Sequence, residues 1–98
     1  MTSESKGVAI VTGSAGGLGK AIVLRLAEDG YDISLNGTSR SQSEMELLAE
    51  DVTRKGRKAI VVVGDVTAEN DVKNLVDTTV EKFGGLDVVS TPKPLNEK

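Results

Sequence analysis

The 98-residue sequence contains no cysteine, no histidine and no tryptophan, and its aromatic residues are Tyr31 and Phe83 alone. Without cysteine there is no disulfide and no thiolate metal site, and without histidine zinc chemistry is effectively excluded. With so few aromatics, the core must be built from Val, Ile, Leu and Ala. That favours close-packed α/β layers over a protein–protein hot-spot surface, which would want Trp, Tyr and Arg. Excess positive charge is also missing. A formal net charge of −3 provides no basic stripe to neutralise phosphates, so no nucleic-acid partner is expected. The most basic stretch, Arg54-Lys55-Gly56-Arg57-Lys58, reads as a solvated helix end whose charges complement the helix dipole. No segment has the apolar core of a secretory signal or the length to span a bilayer, so no membrane partner is expected. Myristoylation needs Gly at position 2, which is Thr2 here. The expected location is cytoplasmic.

What is present is an alternation of strand and helix. Gly7-Val8-Ala9-Ile10-Val11-Thr12 is a short, nearly all-apolar run, as expected of a strand buried on both faces. After a glycine-rich turn, Leu18, Ala21, Ile22 and Leu26 fall on one helical face, and Gly30 supplies the stop. Ile33 and Leu35 mark a second strand. Ser41-Gln42-Ser43-Glu44 fits a capping box for a helix carrying Met45, Leu48, Ala49 and Val52, which ends at Gly56. Ala59-Ile60-Val61-Val62-Val63 is the most strand-like segment. Thr67 is placed to cap a third helix with an apolar stripe of Val72, Leu75, Val76, Val80 and Phe83, ending at Gly84-Gly85. Leu86-Asp87-Val88-Val89 begins a fourth strand.

The order β-α-β-α-β-α-β with short connections requires a parallel sheet with right-handed crossovers. The expected fold is α/β and Rossmann-like, a partial doubly wound sheet of strand order 3-2-1-4. Its span is residues 7–89, after a polar tail at 1–6. Residues 90–98 contain both prolines and little apolar content, and read as a disordered, divergent tail.

Between the first strand and helix lies Thr12-Gly13-Ser14-Ala15-Gly16-Gly17-Leu18-Gly19. Gly13 permits a sharp turn, Gly17 has no Cβ to obstruct a pyrophosphate, and Gly19 lets the helix lie close to the sheet. The N–H groups at the helix start, around Ser14, Gly16, Gly17, Leu18 and Gly19, then face the phosphates. A Walker A loop is ruled out, because the positions flanking Gly19-Lys20 hold Ser14 and Ala21. A purely structural turn would not need four glycines in seven residues.

These residues resemble the cofactor signature of the short-chain dehydrogenases/reductases. Gly64-Asp65-Val66 is similar to the family's next landmark, and Gly84-Gly85-Leu86-Asp87-Val88 to the one after it. The resemblance covers roughly residues 7–89 and implies a truncated NAD(P)-dependent oxidoreductase that moves hydride between nicotinamide and a carbonyl or alcohol. It implies that Asp65 bonds the adenine amino group and that Val66 lines the adenine pocket; the other reading of Asp65 is a turn acid ahead of Thr67. NAD or NADP is decided largely after the second strand, where Leu35-Asn36-Gly37-Thr38-Ser39-Arg40 has no acid to hold a ribose 2′-hydroxyl. Thr38, Ser39 and Arg40 could cradle a 2′-phosphate, a slight lean to NADP; the other reading of Arg40 is a solvated residue.

The sequence also departs from the family. Asn-Asn-Ala-Gly is expected after the fourth strand, where Val89 is followed by Ser90-Thr91-Pro92. The family's catalytic Ser and Tyr-x-x-x-Lys have no counterpart, since Tyr31 is followed by Ser34 and Leu35 rather than by lysine. No catalytic residue is assigned, and the chain alone is expected to be inactive. Two other roles remain open: a non-catalytic nucleotide-binding or interaction module that self-associates through an exposed fourth strand, and an incomplete gene product.

Overall fold

A computed structural model describes residues 5–91. The strands are β1 (Gly7–Val11), β2 (Tyr31–Gly37), β3 (Ala59–Val63) and β4 (Val88–Ser90); the helices are α1 (Gly17–Glu28), α2 (Gln42–Arg54) and α3 (Glu69–Phe83). The sheet is parallel in the order β3-β2-β1-β4, as the alternating pattern and right-handed crossovers demand. In register, Val11 lies beside Leu35, and Leu35 beside Val61. β2 and β3 end level, at Gly37 beside Val63, and run two residues beyond the end of β1.

Side chains alternate between the two faces of the sheet. Ala9, Val11, Ile33 and Leu35 pack with Val23 and Ala27 of α1 and with Met45, Leu48 and Val52 of α2 in one buried cluster. Ile10 and Val62 point the other way and meet Leu75 of α3. The residues of β2 that alternate with Ile33 and Leu35 also face α3, and they are polar: Asp32, Ser34 and Asn36, all buried. Each has a partner. Asp32 Oδ1 accepts the Lys58 N–H at 2.9 Å, and Ser34 Oγ lies 2.9 Å from Thr79 Oγ1.

Several local expectations are corrected. The buried line of α1 is Gly19, Val23 and Ala27. Leu18 and Ala21 are exposed, and Ile22 and Leu26 are half-buried. Gly19 must face the preceding turn, and that contact fixes the rotation of the helix. The capping box does not form. Ser39–Ser41 makes a 3-10 turn in which the Ser41 N–H donates to the Thr38 carbonyl, and the Ser41 backbone (φ −99°, ψ 8°) is not the extended conformation of a side-chain cap. Thr67 does not cap α3 either: its hydroxyl donates to Asp65 Oδ1 at 2.7 Å, and Ala68 holds the cap position.

Within the α3 stripe, Leu75 is buried while Val72 and Val80 are exposed. The second buried residue is Thr79, whose hydroxyl bonds the Leu75 carbonyl. Arg57 is not solvated but 8% exposed, donating from Nε to the Gly56 carbonyl and from Nη1 to the Gly30 carbonyl. β4 begins at Val88, not Leu86. It includes Ser90, whose carbonyl accepts the Thr12 N–H at 3.0 Å; the expected tail from Pro92 onward lies outside the described residues.

Candidate dinucleotide site

The apolar β1 strand ends at Val11, and the chain reverses through Thr12–Gly16 into α1. Gly13 has φ +61°, the left-handed region that glycine enters without penalty. A Cβ on Gly19 would fall on the Gly13 carbonyl oxygen and lie 3.0 Å from Ser14 Cα. Gly19 is thus needed for close approach of helix to turn, rather than of helix to sheet as the sequence suggested. A Cβ on Gly17 would meet nothing within 4 Å. One glycine serves the fold, and the other leaves open space in front of the helix.

That space is electrostatically prepared. The first turn of α1 carries no acidic residue, whereas α2 has Glu44 and α3 has Glu69 and Asp71. The N–H groups of Gly17, Leu18 and Gly19 lack the intrahelical partners of later residues, and the N-cap, Gly16, has no side chain to supply one. The positive end of the helix dipole is left for an external anion.

The turn opens on a cleft of about 240 Å³ at the C-terminal ends of β1, β2 and β3, lined in part by Gly13, Gly16, Gly37, Thr38, Asp65 and Val66. In an open α/β sheet this crevice beside the strand-order switch is where ligands bind. Five residues singled out from sequence therefore meet on one cleft: Gly13, Gly16, Thr38, Asp65 and Val66. Gly17, Leu18 and Gly19 on α1 lie outside the lining, as do Ser39 and Arg40 on the 3-10 turn. Arg40 makes no hydrogen bond or ion pair among the described residues. Ser14 is different. It is fully buried; its hydroxyl donates to the Val11 carbonyl and accepts the Asn36 N–H at 3.1 Å, while its own N–H donates to the Asn36 carbonyl at 3.0 Å. Its two donors tie the turn to β1 and β2 and do not face the cleft.

On the opposite wall, Asp65 Oδ1 accepts both the N–H (2.9 Å) and the hydroxyl (2.7 Å) of Thr67. The Thr67 hydroxyl, and after it the Thr67 N–H, hold the Asp65 carboxyl below its ordinary pKa. Asp65 Oδ2 has no partner among the described residues and is available as an acceptor. The Asp65 N–H donates to Asp71 Oδ2 at 2.9 Å, so the first turn of α3 braces the loop. Asp71 and Asn36 were not foreseen. The alternation Asp32-Ile33-Ser34-Leu35-Asn36, which puts three polar residues on one face of the sheet, was the one available signal for Asn36.

The comparisons agree with this geometry. The profile of the short chain dehydrogenases matches residues 7–91. A short-chain dehydrogenase/reductase of Hericium erinaceus, eriH, is 49% identical over 88 residues, covering 88% of this chain and 35% of that protein. The solved structure of an NAD+-bound xylitol dehydrogenase superposes with a TM-score of 0.79 at 39% identity, covering 87% of this chain and 32% of that one. A short chain dehydrogenase from Burkholderia cenocepacia in complex with NADP gives 0.78 at 37% identity, with 83% and 33% covered. The chain spans about a third of the length of the curated relatives it matches. With the signature turn, the strand order and the family profile in agreement, this chain belongs to the short-chain dehydrogenase family.

Proposed function

We propose that residues 7–90 form the dinucleotide-binding part of an NAD(P)-dependent oxidoreductase that transfers hydride between nicotinamide and a carbonyl or alcohol. The observation that carries this reading is the Gly13–Gly19 turn: Gly13 and Gly16 line a cleft whose far wall holds Asp65, and the helix that starts beside them has unpaired N–H groups and no acid in its first turn. The pyrophosphate lies against Gly17, and Asp65 Oδ2 accepts the adenine amino group beside Val66. NADP is favoured over NAD, because Thr38, Ser39 and Arg40 follow β2 with no carboxylate to hold a 2′-hydroxyl. Relatives of known structure bind each of the two. On this reading, with no Tyr-x-x-x-Lys in the 98 residues to supply a proton to the carbonyl oxygen, the chain alone should show no reductase turnover.

Binding is the test. With the nicotinamide half poorly held, NADP should bind with a Kd in about the high-micromolar to millimolar range. Gly17→Val, which adds side-chain atoms in open space, should abolish binding while leaving the fold intact. Asp65→Ala should weaken adenine-bearing ligands and leave nicotinamide mononucleotide unaffected. Unchanged NADP affinity in Gly17→Val sinks the assignment.

A second reading has one observation in its favour. β4 pairs with β1 alone among the described strands, and Val89 is 59% exposed, a bare edge suited to strand addition. An interaction module of this kind self-associates at micromolar concentration in sedimentation experiments, with no dependence on NADP.

A further inference from the structure

The loops after β1 and β3 lie on either side of β2, about 10 Å apart at ordinary strand spacing, and each is tied to one residue. The backbone of Asn36 exchanges two hydrogen bonds with Ser14, its carbonyl accepting the Ser14 N–H (3.0 Å) and its N–H donating to Ser14 Oγ (3.1 Å). Its side-chain Nδ2 donates the other way, to the carbonyls of Val62 (3.0 Å) and Gly64 (3.3 Å). The side chain is 2% exposed, where a polar group persists only if satisfied. An apolar residue is the usual occupant of a strand position buried on both faces.

We propose that Asn36 is a positioning residue that fixes the pyrophosphate turn and the Asp65 loop at one separation, so that a single dinucleotide engages both. The proposal rests on the dinucleotide reading above and assigns Asn36 no contact with the reacting atoms. Its logic is that of two linked half-sites: each half binds weakly, and affinity for the whole ligand depends on their spacing. Asn36→Leu keeps the backbone bonds to Ser14 and removes the side-chain bonds to Val62 of β3 and to Gly64 of the loop after it. Asn36 also lines the cleft, so separate probes of the two halves distinguish lost alignment from an altered lining.

The experiment compares NADP with AMP and inorganic pyrophosphate as probes of the two halves, using the full chain. Asn36→Leu should weaken NADP about tenfold, the weight of roughly one hydrogen bond, and leave AMP and pyrophosphate unchanged. A general loss of structure would instead weaken all three together, and that result overturns the proposal, as does unchanged NADP binding. A second variant covers the case in which Asn36→Leu does not fold. Ser14→Ala, on the far side of the bridge, should shift the amide resonances of Gly64 and Asp65 through Asn36 while those of Glu50–Arg54 stay fixed. Shifts confined to Val11–Gly16 overturn the proposal. If wild-type chain binds no NADP, the function reading fails, and the amide result separately decides whether the loops are coupled.

Discussion

The two faces of the sheet are built by different means. Against α1 and α2 the buried core is wholly apolar, from Ala9 and Val11 through Leu35 to Val52, and closed to solvent. Against α3 the buried cluster is Ile10, Val62 and Leu75, and β2 contributes Asp32, Ser34 and Asn36 in place of hydrophobic residues. Beside it lies an apolar groove of about 300 Å³ between α3 and the β1–β4 edge, with Val66, Val72 and Val89 exposed along it. One face derives its stability from burial, which is non-directional. The other depends on directional hydrogen bonds, which contribute less net stability but fix the positions of the loops that carry the site.

The largest effect should come from the closed face. Leu35→Ala leaves a cavity with no room to collapse and should cost about 2–5 kcal/mol. Leu75→Ala, next to the open groove, should fall near the lower end of that range, about 2 kcal/mol, because its surroundings can relax. Equal losses by chemical denaturation would dissolve the distinction.

The polar face makes a sharper test. Thr79→Val strands the buried Ser34 hydroxyl, which should cost about 1–3 kcal/mol. Adding Ser34→Ala should recover part of that loss, since replacing both partners leaves no orphan. Additive losses in the double mutant would show that the hydroxyl pair contributes nothing specific.

The smallest effect concerns Asp65. Its pKa is lowered by hydrogen bonds from Thr67, so the pair favours the folded state above the ordinary carboxylate pKa. That contribution disappears as pH falls through the lowered folded value. The group is fully exposed, so the change in stability is slight, but carboxyl NMR titration should find the Asp65 pKa raised in Thr67→Val. An unchanged pKa would mean that the turn is not formed in solution.

The same contrast explains what was legible in the sequence. The closed face follows from periodicity: β1, β3 and the Met45–Leu48–Val52 line of α2 stand where apolar spacing puts them, and the strand order follows from connectivity. The open face does not, because Ser34 with Thr79, and Asn36 with Gly64, are long-range pairs between residues that look like surface positions. Helix starts failed for a different reason. Ser41 and Thr67 have the composition of caps, but local turns gave them other partners, a 3-10 turn closed on Thr38 at Ser41 and the Asp65 carboxylate at Thr67. At the site, Gly13, Gly16 and Thr38 were singled out from the glycine turn and the end of β2, and Asp65 and Val66 from the family resemblance; all five stand on one cleft. The rotation of α1, with Gly19 inward and Leu18 outward, required the turn to be seen in three dimensions.

The most direct test of the account is a backbone amide NMR titration of the full chain with NADP to millimolar concentration. The account predicts shifts at Gly13–Gly19, at Thr38 and at Asp65–Val66, all around the cleft beyond the strand ends, with the α3 groove residues Leu75, Val76 and Val89 unmoved. A folded chain in which the Gly13–Gly19 amides stay still, or in which the shifts centre on that groove, contradicts it.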